Sequence, residues 1–232
     1  ADEARDAAAE MFGGRFGGSG STVLIEDRIA GPEASLFALI DGPDAIFMGS
    51  AQDHKRAFDN DKGPNTGGMG AVSPAPRLTD DLQKQVMEEV VMPLARGMAA
   101  EGSPYRGILY VGLMLTETGP QVIEFNCRLG DPEAQVILPR LRSDLVAAML
   151  GTVEGSLSHL SLRWDTKSAV TVVMATQGYP GSYETGSRIS GLDLLAGDRN
   201  VITFHAGTVI EADGTVRANG GRVLACLLYT SP

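Results

Sequence analysis

Three polar side chains alternate along one otherwise apolar stretch, Val122-Ile123-Glu124-Phe125-Asn126-Cys127-Arg128. Successive side chains of a strand point to opposite faces. Glu124, Asn126 and Arg128 are therefore expected on one face of a buried strand, with Ile123, Phe125 and Cys127 on the other. A carboxylate beside an amide oxygen suits a hard divalent cation, which takes oxygen ligands. A guanidinium just beyond them suits the phosphate that such a cation accompanies. A solvated strand face would explain the triad if it stood alone. Its setting favours chemistry: asparagine is a poor strand former, and Gly130-Asp131-Pro132-Glu133 reads as a strand-to-helix loop, where active-site groups often sit.

A second group is Gly63-Pro64-Asn65-Thr66-Gly67-Gly68-Met69-Gly70. Glycines let backbone amides approach an anion closely and form nests. No Lys-Ser/Thr follows, so this is not a P-loop. Upstream, Gln52-Asp53-His54-Lys55-Arg56 supplies cations suited to a phosphate. A third group is Glu26-Asp27 with Glu33 beyond it. Those acids could take adenine's exocyclic amine and ribose hydroxyls, or could simply be exposed strand ends. His159 and His205 lie far from these groups and read as structural; Cys127 reads as a small core residue rather than a nucleophile. The sequence carries no Ser/His/Asp set and no zinc spacing.

Positioning these groups requires a frame of strands and helices. Residues 1–12 read as the end of a helix, broken by the glycines of 13–20. Strands are predicted over 22–29, 33–40 and 45–50, with Asp41-Gly42 as a turn. Residues 52–76 read as one long functional loop. Thr79 is a helix N-cap, Leu82, Val86, Val90, Leu94 and Met98 form an apolar stripe, Pro93 marks a kink and Gly102 a stop. A hairpin follows over 107–116 and 121–127. Asp131-Pro132-Glu133 starts a helix with proline at its first position, and another helix covers 143–150. From Ser168 the pattern is β, with Asp213-Gly214 joining strands over 201–210 and 215–226. A domain boundary is expected near 160–166.

Composition narrows the classes. With 232 residues the chain suffices for one large domain or two modest ones. No apolar run is long enough to span a bilayer, and Ala1-Asp2-Glu3-Ala4-Arg5 does not resemble a signal peptide. Two distant cysteines fit a reducing cytoplasm. A net charge of −10 argues against nucleic acid or an anionic membrane as the main partner. A small phosphate-bearing ligand can still be held by a few local basic groups.

Taken in order, Val-Leu-Ile-Glu-Asp, Gln-Asp-His-Lys-Arg, Gly-Pro-Asn-Thr-Gly-Gly-Met-Gly-Ala, Ser73-Pro74-Ala75-Pro76, Gly97-Met98-Ala99-Ala100-Glu101-Gly102, Val-Ile-Glu-Phe-Asn-Cys-Arg and Gly-Asp-Pro-Glu resemble the phosphoribosylamine–glycine ligase family of ATP-grasp enzymes. The resemblance runs from about residue 1 to Ala225. It implies an α/β (α+β) fold, an ATP-grasp C-terminal lobe followed by a mostly β C-terminal domain. Residues 1–20 would be the tail of the ATP-grasp lid, 21–163 the catalytic lobe and 164–225 the β-rich domain. Residues 226–232 depart from the family pattern and are expected to be a non-native tail of a truncated frame.

By the same resemblance, ATP, glycine and 5-phosphoribosylamine are the partners, with no nucleic acid or membrane. Glycine's carboxylate attacks the γ-phosphate of ATP, and the amine of phosphoribosylamine then displaces phosphate from glycyl phosphate. Glu124 and Asn126 resemble ligands of Mg²⁺ or Mn²⁺, and Arg128 a catalytic group on the transferring phosphoryl. Glu26, Asp27 and Ile29 resemble the adenine hinge, and Glu33 the ribose contact. Asp53, His54, Lys55, Arg56, Asn65, Thr66, Gly67, Gly68, Met69, Gly70 and Asp131 resemble the phosphoribosylamine and glycine site. The lid lysines of the family have no counterpart here, which implies that this chain alone does not turn over. The alternatives are another ATP-grasp carboxylate ligase, or a nucleotide-binding module without turnover.

Overall fold

The structure is a computed structural model that describes residues 2–15, 17–195 and 197–230. It divides into two units, Ala1–Ala30 and Gly31–Pro232. In the first, helix α1 (Asp2–Glu10) forms where the sequence predicts one, and a wider π-type turn over Met11–Arg15 follows. The strand expected over 22–29 does not form; these residues take no regular structure. Leu24 and Ile25 are 81% and 82% exposed. A strand needs a neighbour for its N–H and C=O groups, and no ladder among the described residues pairs with this segment.

The second unit is built on β1 (Glu33–Asp41) and β2 (Ala45–Asp53), joined antiparallel across a tight turn. In β1 only Glu33 is exposed. Its side chains alternate between two apolar layers. Leu36, Ala38 and Ile40 pack with Val86, Val91 and Ala95 of one helical layer, and Phe37 and Leu39 pack with Val136, Ile137 and Ala148 of the other. A strand covered on both faces reads as a continuous apolar run, and Ala34 to Ile40 does.

The expected loop over 52–76 is not structureless. It contains β3 (Arg56–Phe58) and β4 (Lys62–Asn65), which pair as a small hairpin, and β5 (Gly70–Ser73), which enters the main sheet. Glycine, proline and polar residues weaken the strand signal of these short segments, yet Gly70, Ala71 and Ser73 are buried in the sheet.

Thr79 caps helix α2 (Asp80–Val86), its Oγ1 accepting from the Leu82 amide at 3.3 Å. A π-type turn over Met87–Val91 connects to α3 (Met92–Ala100). Pro93 lies in the first turn of α3, so its missing N–H falls where the wider turn already alters the hydrogen-bond pattern. Strands β6 (Arg106–Thr116) and β7 (Gly119–Asn126) form the expected hairpin. Helix α4 (Glu133–Ile137) begins one residue later than predicted, with Pro132 at the cap position rather than inside the helix. Helix α5 (Leu145–Glu154) is capped by Asp144, whose Oδ1 accepts from Val146 at 2.8 Å, and it runs past the expected end at Leu150.

The remaining strands are β8 (Ser168–Ala175), β9 (Arg188–Ile189), β10 (Val201–His205), β11 (Thr208–Ile210), β12 (Val216–Ala218) and β13 (Arg222–Thr230). The Asp213-Gly214 hairpin is present, pairing Ile210 with Val216. Both of its predicted arms are divided between two sheets: β10 and β13 join an eight-stranded sheet, β11 and β12 a three-stranded one with β9. The larger sheet runs β10-β13-β8-β5-β2-β1-β6-β7, so the C-terminal β segment extends the same sheet and residues 31–232 stay one unit. The segments on either side of 160–166 thus share one sheet. Residues 226–230, expected to be a non-native tail, continue β13: Leu227 is buried and the Tyr229 hydroxyl donates to the Pro139 carbonyl at 2.9 Å.

Candidate active site

Strand β7 lies at the edge of the sheet, not inside it. A bulge sets Gly112 opposite Glu124 and Leu113 opposite Val122, leaving Ile123 as the extra residue. Val122 packs into the layer of α2 and α3. Ile123 and Phe125 are 42% and 44% exposed, and Cys127 is an exposed free thiol. The expected buried face of Ile123, Phe125 and Cys127 is therefore corrected. Among the described residues the edge position leaves β7 without a strand neighbour on one side, and the bulge brings Ile123 to line the same small cavity as Glu124.

Glu124, Asn126 and Arg128 do converge. They line a cavity of about 180 Å³ that also takes in Asp53, Lys55, Thr66, Tyr110, Asp131 and Glu133. Asn126 Nδ2 donates to Glu124 Oε1 at 3.1 Å, which leaves the Asn126 amide oxygen available beside the carboxylate. Arg128 donates through Nη1 to its neighbour's carbonyl, Leu129, at 3.0 Å.

Lys55 Nζ donates to Glu33 Oε2 at 3.0 Å, so the expected ribose contact is ion-paired in this state. Burial pulls the Lys55 ammonium down, but the Glu33 hydrogen bond and the nearby charges of Tyr110, Glu33 and Asp53 carry it above its usual range. Asp53 is the opposite case. Its Oδ1 is buried without a hydrogen-bond partner. Burial, with the charge of Glu133 added, pushes its carboxyl up to about 7 against the pull of Lys55. Burial also raises Glu133; Ser35 Oγ lies 3.4 Å from Glu133 Oε1 and 3.1 Å from the Tyr110 hydroxyl, and its single proton serves one acceptor or the other.

A larger cleft of about 610 Å³ adjoins this one, with Asp53 and Lys55 lining both. Its walls carry Lys55, Arg56 and Arg77 together with Glu33, Asp53 and Asp61, so its charges are mixed, and Lys55 is already paired to Glu33. Arg56 also donates to the Gly63 carbonyl at 2.9 Å, which fixes the β3–β4 hairpin.

The glycine-rich segment does not offer the anion nest its composition suggests. The amides of Thr66 and Met69 donate to Lys55 and His54 carbonyls at 2.7 and 2.8 Å. Those of Gly67 and Gly68 donate to the Tyr179 hydroxyl at 3.1 Å and to Thr66 Oγ1 at 3.0 Å. With its amides committed inside the protein, the turn serves as a wall. Gly70 belongs to β5.

Glu26, Asp27 and Ile29 belong to the other unit, where the two acids are exposed and Ile29 half-buried. Nothing in the sequence pattern marks Tyr110 or Arg77 as cleft residues, and the apolar neighbours of Tyr110 suggest a plain core strand; Glu133 is marked only by its place in the Gly130-Asp131-Pro132-Glu133 loop. Arg222 at the start of β13 also reaches this region, and only its place in Gly220-Gly221-Arg222 hints at a constrained position. Among the described residues no group of three or more His, Cys, Asp or Glu could hold a metal by itself.

Residues 1–134 match phosphoribosylglycinamide synthetase, ATP-grasp (A) domain, and residues 169–231 match phosphoribosylglycinamide synthetase, C domain. The second match runs through the segment expected to leave the family pattern. A phosphoribosylamine–glycine ligase of Caulobacter vibrioides is 52% identical over 223 residues, covering 95% of this chain and 52% of the relative. The crystal structure of phosphoribosylamine–glycine ligase from Thermotoga maritima superposes with a TM-score of 0.85 at 34% identity, covering 99% of this chain and 56% of that one. The biotin carboxylase domain of a thermophilic 2-oxoglutarate carboxylase shares the fold alone, with a TM-score of 0.66 at 16% identity over 98% of this chain and 48% of that one. The chain thus spans about half the length of the curated relatives it matches. With its A-domain match covering more than half its length and its C-domain match following in order, this chain belongs to the phosphoribosylglycinamide synthetase family.

Proposed function

We propose that this chain forms the catalytic floor of an ATP-dependent ligase that joins glycine to 5-phosphoribosylamine, giving glycinamide ribonucleotide, ADP and phosphate in purine biosynthesis. The observation that carries the reading is the convergence of Glu124, Asn126 and Arg128 with Asp53, Lys55, Thr66 and Asp131 around one cavity, in a member of this family.

The chemistry has two steps. A glycine carboxylate oxygen attacks the γ-phosphorus and ADP leaves. The amine of phosphoribosylamine then attacks the carbonyl carbon of glycyl phosphate; phosphate leaves and the amine nitrogen loses a proton. Both steps bring anions together, so the protein's work is alignment and charge neutralisation. Arg128, which lines the cavity with Glu124 and Asn126, suits the transferring phosphoryl oxygens. Lys55, Arg56 and Arg77, the basic residues of the larger cleft, suit the ribose 5-phosphate.

Glu124 and the Asn126 amide oxygen fit a hard cation, Mg²⁺ or Mn²⁺, completed by phosphate oxygens and water. Two protein ligands are too few for a resident structural metal, but they suit one that arrives with its nucleotide. Bound there, the cation would supply charge neutralisation at the ATP phosphates.

A coupled assay on the protein that carries this chain tests the reading. ADP release should require both glycine and phosphoribosylamine. Release that instead follows bicarbonate, or another carboxylate with no need of phosphoribosylamine, would sink it.

A further inference from the structure

We infer that Arg222 is a positioning residue, by which the C-terminal strand β13 locks the Thr66 to Met69 turn onto the exit of β7. The guanidinium bridges two segments distant in sequence. Nη1 donates to the carbonyls of Gly67 at 2.7 Å, Asp131 at 3.0 Å and Gly68 at 3.3 Å, and Nη2 donates to Asp131 Oδ2 at 3.0 Å. Its side chain is 22% exposed and that of Asp131 57%, so the guanidinium is the more shielded end of the pair. A planar fork of donors can serve several acceptors in one plane, and an ammonium on a flexible stem cannot reproduce that arrangement.

The turn is shaped to receive the fork. A Cβ on Gly67 would come within 3.1 Å of the guanidinium carbon, so glycine there lets the two lie flat together. At Gly68 the backbone has φ +106°, and a Cβ would meet Pro132 Cδ at 2.4 Å and Asp53 Oδ1 at 2.9 Å. The turn thus rests directly on the strand exit and on the buried carboxyl. The Tyr179 hydroxyl, also from the C-terminal segment, accepts from the Gly67 amide at 3.1 Å.

The latch changes how Asp131 is read. Its Oδ2 is held by Arg222 and its Oδ1 accepts from Gln135 Nε2 at 2.8 Å. Both oxygens are engaged before any substrate arrives, so Asp131 fixes the exit loop that follows Arg128. Through it, Arg222 sets where Thr66 and Arg128 stand across the cavity, with no need to touch a ligand itself.

The test uses the 232-residue chain, with amide hydrogen exchange as the first readout and calorimetric titration with glycinamide ribonucleotide as the second. Only the second rests on the proposed function. Loss of a charged hydrogen-bond set predicts that Arg222→Ala raises exchange at Gly67 and Met69 and weakens ribonucleotide binding, each about tenfold or more. Amides of β1 and β6 should exchange as in the wild type. Arg222→Lys should fall between the two, keeping the ion pair but not the three carbonyl contacts. Free guanidinium at low millimolar concentration should restore protection in Arg222→Ala but not in Arg222→Lys, whose side chain fills the space.

Unchanged exchange in the turn would overturn the latch. A uniform rise throughout the sheet would also overturn it, since that marks general destabilisation. Looser exchange with unaltered affinity would overturn the positioning role. If the wild type does not take the ribonucleotide, the ligand assignment above fails, and exchange with guanidinium rescue decides the latch alone.

Discussion

Strands β1 and β7 belong to one sheet, separated only by β6, yet they answer to different constraints. β1 is covered on both faces, and eight of its nine residues are buried. β7 has an open edge, a bulge and no fully buried residue, and it carries the two oxygen ligands proposed for a metal. The central strand is determined by what it must hide, the edge strand by what it must present. Stability and chemistry should therefore separate when each strand is altered.

The largest effect should come from the central strand. Phe37 is fully buried, with its ring 5.1 Å from that of Tyr110 in an edge-to-face arrangement. Phe37→Ala should lower unfolding free energy by about 3–5 kcal/mol, read as a fall in the urea midpoint. A loss comparable to that of an edge-strand change would break the contrast.

The next effect lies at the end of β2, where the buried frame meets the cleft. Asp53 is raised from 3.8 to about 7. Between those values the folded state binds more protons than the unfolded state. Stability should therefore decline as pH rises through this window and level off above it. Asp53→Asn should remove that decline, which amounts to about 4 kcal/mol across the window. Parallel pH profiles of thermal midpoints for the two proteins would refute it.

What the sequence made legible follows the same division. The β1 run, the Thr79 cap and the Asp213-Gly214 hairpin depend on local chemistry, and each stands where its residues put it. The Glu124, Asn126, Arg128 grouping was legible because it needs only strand periodicity over a few residues. The segment over 22–29 was misleading because apolar β-formers cannot supply their own ladder. Residues 66–69 looked like part of an anion nest because composition shows glycines but not the partners of their amides, of which His54, Lys55 and Tyr179 lie outside the motif. Asp53 and Glu133 were invisible as a buried carboxyl pair for the same reason, and so was Arg222 as a latch. Groups drawn together by tertiary structure leave little local pattern.

At the edge strand, Glu124→Ala should leave stability nearly unchanged, because the side chain is exposed. Surface substitutions of this kind usually stay within about 0.5 kcal/mol. Affinity for Mg-ATP should fall about tenfold or more, the scale expected when a metal's support is removed. Calorimetry with and without chelator checks it; equal Mg-ATP affinity in variant and wild type would remove the metal assignment.

The smallest effect gives the sharpest comparison. Phe125 sits between the two proposed ligands, is aromatic, and by alternation alone should be a core residue. It is 44% exposed, on the edge strand of the sheet. Phe125→Ser should therefore cost no more than about 0.5–1 kcal/mol, against the several expected for a buried phenylalanine. Two phenylalanines on strands two places apart would then differ several-fold in what their loss costs, with only coverage to distinguish them. A loss at Phe125 as large as that at Phe37 would mean that the edge is covered in solution and that β7 is as much frame as site.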